Sequence, residues 1–257
     1  MGAIKREERI GGQRLILGDC LEVMREIEPV DHAIFDPPYE AVMQNKWGVL
    51  SKSSPSSHVR HENIGFDAID NIRSDVTKEV VRLTSGWAII FCMAEGVRAW
   101  RDEIELTEAK YKRAMVWIKP DAMPQFNGMG PSVGHEMMVS AWCGGGRSKW
   151  NGGGKPGNFI FNKNTPGGGV HPTQKPLPLM MELVNLFSSH GETVLDPFMG
   201  SGTTILACEK LGRKGVGIER DPQHFESACR RVDEASRQPD FLITETRPAP
   251  VQEGFNL

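Results

Sequence analysis

Short apolar segments alternate with segments of helical periodicity along most of this 257-residue chain. The apolar run 15–17 is followed by Leu21, Met24 and Ile27 at helical spacing, and then by the apolar run 33–35. Further strand-like segments follow at 86–93, 113–119, 135–143, 193–198 and 215–219. Further helical segments follow at 76–83, 94–109, 177–188, 203–212 and 222–237. This alternation predicts an α/β fold whose sheet is mostly parallel and covered by helices on both faces.

The composition is that of a globular protein. Hydrophobic residues make up 39% of the chain, which is enough to bury a sizeable core, and we expect one domain over residues 1–257. No apolar run approaches the ~20 residues that span a bilayer. The N-terminus is charged and lacks the apolar centre of a signal peptide. These features predict a cytoplasmic protein without a membrane partner.

The cysteines and the net charge exclude little else. The five cysteines are scattered and never in C-x-x-C spacing, so we expect neither a disulfide framework nor a metal site. A net charge of -3 argues against a uniformly basic surface. It does not exclude a nucleic-acid partner, because the clustering of basic residues decides that question.

A glycine-containing turn lies between the strand-like segment 193–198 and the next helix. Gly200 and Gly202 let the backbone approach a ligand closely, and Glu219 ends the next strand at the offset of a ribose-binding acid. The third glycine of the dinucleotide motif is absent, and no lysine follows as in a Walker loop. Asp196 would repel a pyrophosphate but suits a cation. An adenosine cofactor with a positive charge, S-adenosylmethionine, therefore fits better than NAD or ATP.

The stretch Asp36-Pro37-Pro38-Tyr39 directly follows the apolar run 33–35. The prolines stiffen the backbone and lack N–H donors, and an ionised aspartate only accepts hydrogen bonds. A rigid set of acceptors suits an NH2 group, and Tyr39 adds a surface on which a ring can stack. Accepting both amine hydrogens at Asp36 and the Pro37 carbonyl would localise the nitrogen lone pair towards a methyl donor.

Three motifs occur in the order DPPY (36–39), HPTQKP (171–176) and DPFMGSGTT (196–204). In this order they resemble the β-class DNA amino-methyltransferases, whose catalytic motif precedes the S-adenosylmethionine motif. The resemblance extends from about Gly18 to Arg231. It implies a Rossmann-like methyltransferase fold with a seven-stranded sheet, permuted in motif order, and a DNA substrate whose target base is flipped out of the duplex.

The resemblance also assigns roles to single residues. The catalytic set is Asp36, Pro37, Pro38 and Tyr39. The cofactor's methionine and sulfonium part would be lined by Asp196, Phe198, Gly200, Ser201, Gly202 and Thr203. Its ribose would contact Glu219 and its adenine Asp19, and the remaining cofactor-side motif would supply Thr173, Lys175 and Pro176. Cys20, Asp36 and Arg220 are further candidates for cofactor binding. Two alternatives stay open, since Asp19 could cap a helix and Pro176 could begin one.

Two segments are candidates for DNA contact. The segment 143–172 is rich in glycine and contains no acidic residue, and its basic and aromatic side chains suit phosphate contact and base stacking. They are Arg147, Lys149, Trp150, Lys155 and Lys163. A solvated insert without a DNA role is the alternative. The segment 41–63 has no clear period and predicts a mobile functional loop that carries Lys46, Lys52 and Arg60. The tail 238–257 is predicted to be extended.

The resemblance favours adenine N6 as the methylated atom, because an aspartate at position 36 is commoner among the adenine enzymes and a serine among the cytosine-N4 enzymes. Cytosine N4 is the alternative, since either amine could meet the same acceptors. A non-catalytic DNA-binding protein that retains the fold is the second alternative. A homodimer and a cognate restriction endonuclease are further candidate partners.

Overall fold

The computed structural model describes residues 2–38, 69–124, 130–163 and 174–237. Several predicted features lie outside these residues: the predicted loop 41–63, the tail 238–257, and the residues Tyr39, Lys46, Lys52, Arg60 and Thr173. Within the described residues, no helix is long and apolar enough to cross a membrane.

The described residues form one sheet with helices packed on it. Its strands are β1 (Ile4–Ile10), β2 (Gln13–Gly18), β3 (His32–Phe35), β4 (Trp87–Cys92), β5 (Lys110–Ile118), β6 (His135–Trp142), β7 (Asn158–Ile160), β8 (Thr193–Asp196) and β9 (Lys214–Glu219). The helices are α1 (Cys20–Met24), α2 (Arg73–Leu83), α3 (Gly96–Glu105), α4 (Leu177–Phe187), α5 (Thr203–Lys210) and α6 (Pro222–Ser236). A 3-10 turn, Ile69–Asn71, precedes α2.

The strands lie in the order β1-β2-β9-β8-β3-β4-β6-β5-β7. The central run from β2 to β4 is parallel, whereas β6 is antiparallel to both β4 and β5. The predicted α/β class with a mostly parallel sheet is therefore confirmed. The expected number of seven strands was too low, because the residues that the structure describes already form nine.

The two additional strands lie at the edges of the sheet. β1 forms a hairpin with β2 through Gly11 and Gly12, and Gly11 has a φ of 58° that only glycine adopts at little cost. The sequence of β1 (IKREERI) is rich in charged residues, as expected for an edge strand that is largely exposed to solvent. β7 has only three residues, too few to show a period. Neither strand has the continuous apolar run that identified the central strands.

Helices cover both faces of the sheet, as predicted. Along β3, Ala33 and Phe35 pack into a core layer that also contains Trp100 of α3, whereas Ile34 packs into the opposite layer with Leu183 of α4. This alternation is the two-residue period of a strand. All four residues of β3 are buried, so the strand is fixed on both sides and holds the chain that follows it in place.

Candidate active site

The carboxyl ends of four parallel strands bring the predicted site residues together. Leu17 of β2 pairs with Glu219 of β9, and Gly217 of β9 pairs with Asp196 of β8. Because β8 also pairs with β3, the acid that follows β3, Asp36, lies on the next strand of the same edge. Neighbouring strands are about 4.8 Å apart. The catalytic and cofactor motifs, distant in the chain, therefore share one edge of the sheet.

Ring packing fixes the start of the DPPY motif. Phe35, immediately before Asp36, lies 5.9 Å from Phe198 of the cofactor motif and 6.2 Å from Trp100, between ring centroids. Pro37 is buried, and the side chain of Asp36 is 33% exposed. A buried proline behind a partly exposed carboxylate makes a rigid acceptor that faces solvent, as the sequence suggested.

Lys175 of the HPTQKP motif lies against the catalytic aspartate. Its ammonium forms an ion pair with Asp36, contacts Glu136 Oε2 at 3.2 Å, and lies 5.0 Å from the centroid of the Phe91 ring. Its side chain is 7% exposed. The sequence had assigned Lys175 to the cofactor side of the cleft, whereas the structure places its charge on the catalytic side. Its contact with the cofactor stays a prediction.

Glu136 and Lys119 are site residues that sequence reasoning missed. Glu136 lies near the start of antiparallel β6 and Lys119 directly follows β5, so both reach the edge that carries Asp36. Lys119 forms an ion pair with Glu136. Nearby cations lower the pKa of Glu136 despite its burial, so this side chain is held as a carboxylate. The sequence signal that could have indicated them is a charged residue at one end of each apolar strand, Lys119 after β5 and Glu136 at the start of β6.

The glycine turn between β8 and α5 has the conformation that its sequence predicts. Gly200 has a φ of 52° and Gly202 a φ of 79°, both in the left-handed region. A Cβ added to Gly202 would lie 2.9 Å from the Cβ of Ala228 in α6. Position 202 therefore requires glycine for two reasons: its left-handed backbone angle and the close approach of α6.

Glu219 holds this turn in position. Its two carboxylate oxygens accept hydrogen bonds from the Gly200 N–H at 2.9 Å and from the Asp221 N–H at 2.8 Å. Charge-assisted hydrogen bonds of this kind are among the stronger ones. Glu219 thus links the glycine turn to the start of α6, a structural task that the sequence comparison with ribose-binding acids did not reveal. Contact with a ribose stays a prediction.

Asp196 is a buried carboxyl at the centre of the edge. It accepts a hydrogen bond from the Phe198 N–H at 3.0 Å, and its side chain also bonds to Thr204. Burial, with smaller contributions from Asp36 and Glu219, raises the pKa of Asp196 to about 7. An acid in this state favours a cationic neighbour and opposes a phosphate. The residues present therefore fit S-adenosylmethionine, whose sulfonium and amino groups are positive.

The remaining cofactor candidates occupy ordinary structural positions. Asp19 is the N-cap of α1, where its side chain accepts from the Leu21 N–H at 3.0 Å and the Glu22 N–H at 3.2 Å. Pro176 is the N-cap of α4. Both structural alternatives from the sequence are therefore confirmed, which leaves their cofactor contacts as predictions. Cys20 is buried beside Asp19, and Arg220 is exposed beyond Glu219.

The described part of the predicted recognition segment packs largely on the opposite edge of the sheet. The Trp150 ring lies 4.9 Å from Phe187 at the end of α4, and the Lys149 carbonyl accepts a hydrogen bond from Trp87 at the start of β4. Lys155 forms an ion pair with Glu182 of α4. These contacts account for Trp150 as a packing residue and count against the base stacking that its basic surroundings suggested.

The other two basic residues of this segment lie on different edges. Arg147 is exposed and follows β6 at the edge away from Asp36. Lys163 is exposed beyond β7, whose carboxyl end lies with that of β5, and its backbone N–H donates to Asp121 Oδ1 at 2.7 Å. Lys163 is thus on the catalytic edge, and its contact with a DNA phosphate stays a prediction.

Arg231 of α6 is a further contact of the glycine turn that the sequence did not single out. Its guanidinium donates to the Ser201 carbonyl and lies 3.0 Å from Ser201 Oγ. We expect Arg231→Met to keep the packing of α6 but to raise the dissociation constant of S-adenosylmethionine about tenfold, because a charged hydrogen bond is worth about 1.5–3 kcal/mol. Calorimetric titration measures the effect. Arg230→Met, an exposed neighbour, is the control, and equal affinities of the two variants would contradict the role.

Comparisons with known proteins show which chains and folds this protein is similar to. The family model N6_N4_Mtase, described as DNA methylase, matches residues 145–230. The type II methyltransferase M.HinfI of Haemophilus influenzae is 26% identical over 276 aligned residues, covering 92% of this chain and 74% of that protein. The crystal structure of the M1.HpyAVI–SAM complex has a TM-score of 0.65 at 24% identity, over 86% of this chain and 99% of that one. The cytosine-N4-specific PvuII DNA methyltransferase has a TM-score of 0.68 at 15% identity, over 89% of each chain.

The family model and the curated relative are a DNA methylase and a type II methyltransferase, the class that the three motifs predicted, and the solved structures share the fold. One of these structural neighbours was solved with S-adenosylmethionine bound, the cofactor that the glycine turn and Asp196 of this chain fit. The chain is therefore similar to the DNA amino-methyltransferases that act on adenine N6 or cytosine N4, and the family model of these enzymes matches its residues 145–230.

Proposed function

We propose that this protein methylates the N6 amine of adenine in DNA. The observation that carries the proposal is the aspartate at the head of the DPPY motif: Asp36 follows β3 on the strand next to β8, which ends at Asp196. By the family resemblance, an acid in this position favours adenine. The chemistry of the site alone would accept either exocyclic amine.

The chain's own groups would activate the amine by accepting its hydrogens. The Asp36 carboxylate and the Pro37 carbonyl are acceptors on a stiff backbone, so the nitrogen lone pair points away from the ring and towards the methyl donor. S-adenosylmethionine supplies the methyl group. As the N–C bond forms and the S–C bond breaks, the electron pair stays on sulfur and the nitrogen must lose one proton. Burial raises the pKa of Asp36, which makes this carboxylate a suitable acceptor for that proton.

Substrate binding adds further parts to the proposal. A base inside a duplex must be flipped out to reach Asp36, and stacking on Tyr39 would offset part of the unstacking free energy of a few kcal/mol. Lys163 and the segment 41–63, with Lys46, Lys52 and Arg60, are the proposed phosphate contacts. A cytoplasmic location, a homodimer and a cognate restriction endonuclease stay predictions.

Methyl transfer to unmethylated DNA tests the function directly. The purified protein is incubated with tritiated S-adenosylmethionine and DNA, the DNA is digested to nucleosides, and the radioactive nucleoside is identified by chromatography. We expect label in N6-methyldeoxyadenosine, and none with DNA that the enzyme has already methylated. Label in N4-methyldeoxycytidine would replace the adenine assignment with the cytosine one. No label from a protein that still binds the cofactor would overturn the enzymatic proposal.

Cytosine N4 is the second candidate because one solved neighbour, the PvuII DNA methyltransferase, is cytosine-N4-specific. At 15% identity, that likeness concerns the fold alone. Sequencing of DNA from cells that express the protein, with a method that reports modified bases in context, gives the base and the recognition sequence together.

A further inference from the structure

Four charged side chains form a row that begins at Asp36 and leads away from the cofactor motif. The row consists of Asp36, Lys175, Glu136 and Lys119. Lys175 contacts both Asp36 and Glu136, and Glu136 also contacts Lys119. Charges along the row alternate in sign, and the three members beyond Asp36 are at most 14% exposed. We call this set the charge row.

The two ammonium groups of the charge row are also held from their apolar sides. Lys175 Nζ lies 5.0 Å from the Phe91 ring centroid, and Lys119 Nζ lies 4.5 Å from the Trp117 ring centroid. A cation over an aromatic face is attracted to it. Both ammonium groups also contact Glu136, so this one carboxylate helps to fix the positions of both lysines.

Because Lys175 contacts both Asp36 and Glu136, Glu136 affects how strongly Lys175 occupies the catalytic carboxylate. An ammonium that is paired with Asp36 alone competes with the substrate amine for the lone pairs of that carboxylate. Glu136 Oε2, 3.2 Å from Lys175 Nζ, attracts the same ammonium and weakens its hold on Asp36. Lys119 partly neutralises Glu136 and so weakens the attraction of Glu136 for Lys175.

We propose that Glu136 is a positioning residue that shares Lys175 with Asp36 and thereby keeps the Asp36 carboxylate available to the substrate amine. This inference rests on the proposed methyl transfer, but it applies to adenine and cytosine alike. Lys119 is the second positioning residue, with the opposite effect.

The charges that face Asp36 fix the direction of the expected pH effects. Lys175 and Lys119 lower the pKa of Asp36, whereas Glu136 raises it in addition to burial. Asp196 lies on the neighbouring strand, and its charge is coupled to that of Asp36. The described contacts that fix Asp196 come from Phe198 and Thr204, so Glu136→Gln acts directly on Asp36 and affects Asp196 only through the charge of Asp36.

The test is the pH dependence of single-turnover methyl transfer by Glu136→Gln and Lys119→Met. Loss of the Glu136 charge removes one of the two described carboxylates that attract Lys175, so its hold on Asp36 tightens. The acidic limb should therefore move down by about one pH unit, and the plateau rate should fall about tenfold. Loss of Lys119 strengthens the attraction of Glu136 for Lys175, so the acidic limb of the pH profile of Lys119→Met should move to higher pH. Glu182→Gln, which breaks the remote ion pair with Lys155, should leave the limb in place.

Carbon-13 NMR titration of the Asp36 carboxyl in the same variants measures the coupling without any turnover. Opposite shifts of the Asp36 pKa in Glu136→Gln and Lys119→Met support the inference. Coincident curves for the wild type and both variants would overturn it, and a lower rate or melting temperature without a shift would show a merely structural role. A wild type that transfers no methyl group contradicts the proposed function, whereas the NMR titration still decides this inference.

Discussion

Asp36→Ala should bind S-adenosylmethionine and transfer its methyl group about a hundredfold to a thousandfold more slowly than the wild type, because removing one preorganised electrostatic contact at a reacting group has an effect of this size. The variant loses the only charged acceptor of the DPPY motif. The cofactor motif is retained, since the contacts of Glu219 and Arg231 with the glycine turn do not involve Asp36. Rapid-quench measurement of methylated DNA gives the rate, and calorimetry gives the cofactor affinity.

The fold should tolerate this substitution because Lys175 keeps a partner. Removing one member of a buried ion pair is usually destabilising when it leaves an isolated charge. Here the Lys175 ammonium still lies 3.2 Å from Glu136 Oε2 after Asp36 is removed. Asp102→Ala, at an exposed ion pair with Arg98 on α3, is the matched control and should retain full activity. Normal methyl transfer by Asp36→Ala would refute the catalytic role of this residue.

The shared location of the two motifs could be predicted from the sequence. Two apolar strands ended in functional residues, Asp36 and Asp196, and the carboxyl ends of parallel strands lie at one edge of the sheet. The structure bears this out, since β3 pairs directly with β8. This prediction needed only local patterns and the handedness rules of α/β folds, so it did not depend on side-chain detail.

The charge row could not be predicted in the same way. Lys175 is 139 residues from Asp36 in the chain, and their contact depends on where α4 begins relative to β3. Glu136 reaches the same edge only because β6 runs antiparallel between β4 and β5, which places the start of this strand beside the ends of its neighbours. Strand direction at that point is set by tertiary packing, and no local sequence signal encodes it.

Trp150 shows how composition alone can mislead. Its basic, glycine-rich surroundings suggested a nucleic-acid surface, but its ring packs on Phe187 and its indole N–H donates to the Gly153 carbonyl at 2.8 Å. Composition reports which side chains a segment contains. It does not report which edge of the sheet the segment crosses, and that edge determines whether a side chain can reach the substrate.

Affinity for S-adenosylmethionine should rise with pH because Asp196 must be ionised to stabilise a cation. Its pKa of about 7 lies far above its ordinary value of 3.8, so the carboxyl is largely neutral at pH 6 and largely charged at pH 8. Below pH 7 the affinity should fall by up to about tenfold per pH unit. S-adenosylhomocysteine, whose sulfur carries no charge, should show a weaker dependence. Calorimetric titration from pH 6 to pH 8 measures both ligands.

The cofactor-free protein should show the opposite trend in stability. Between pH 3.8 and about 7 the folded state holds a proton on Asp196 that the unfolded chain has released. The contribution of Asp196 to the free energy of unfolding is therefore full below pH 3.8 and is lost as the pH rises through 7. Because ionised Asp196 destabilises the cofactor-free protein, a bound cation should stabilise the protein most at the pH values where this carboxyl is charged.

Asp196→Asn separates the two effects. The amide oxygen can still accept from the Phe198 N–H, so the turn after β8 should be preserved. At pH 8 the variant should be more stable than the wild type without cofactor, yet bind S-adenosylmethionine about a hundredfold more weakly, and the affinity gap should narrow to about tenfold at pH 6. Urea unfolding and calorimetry at both pH values provide the comparison. An affinity gap that is the same at pH 6 and pH 8 would show that the charge of Asp196 does not face the cofactor, because only a titrating carboxylate makes the difference between the two proteins depend on pH.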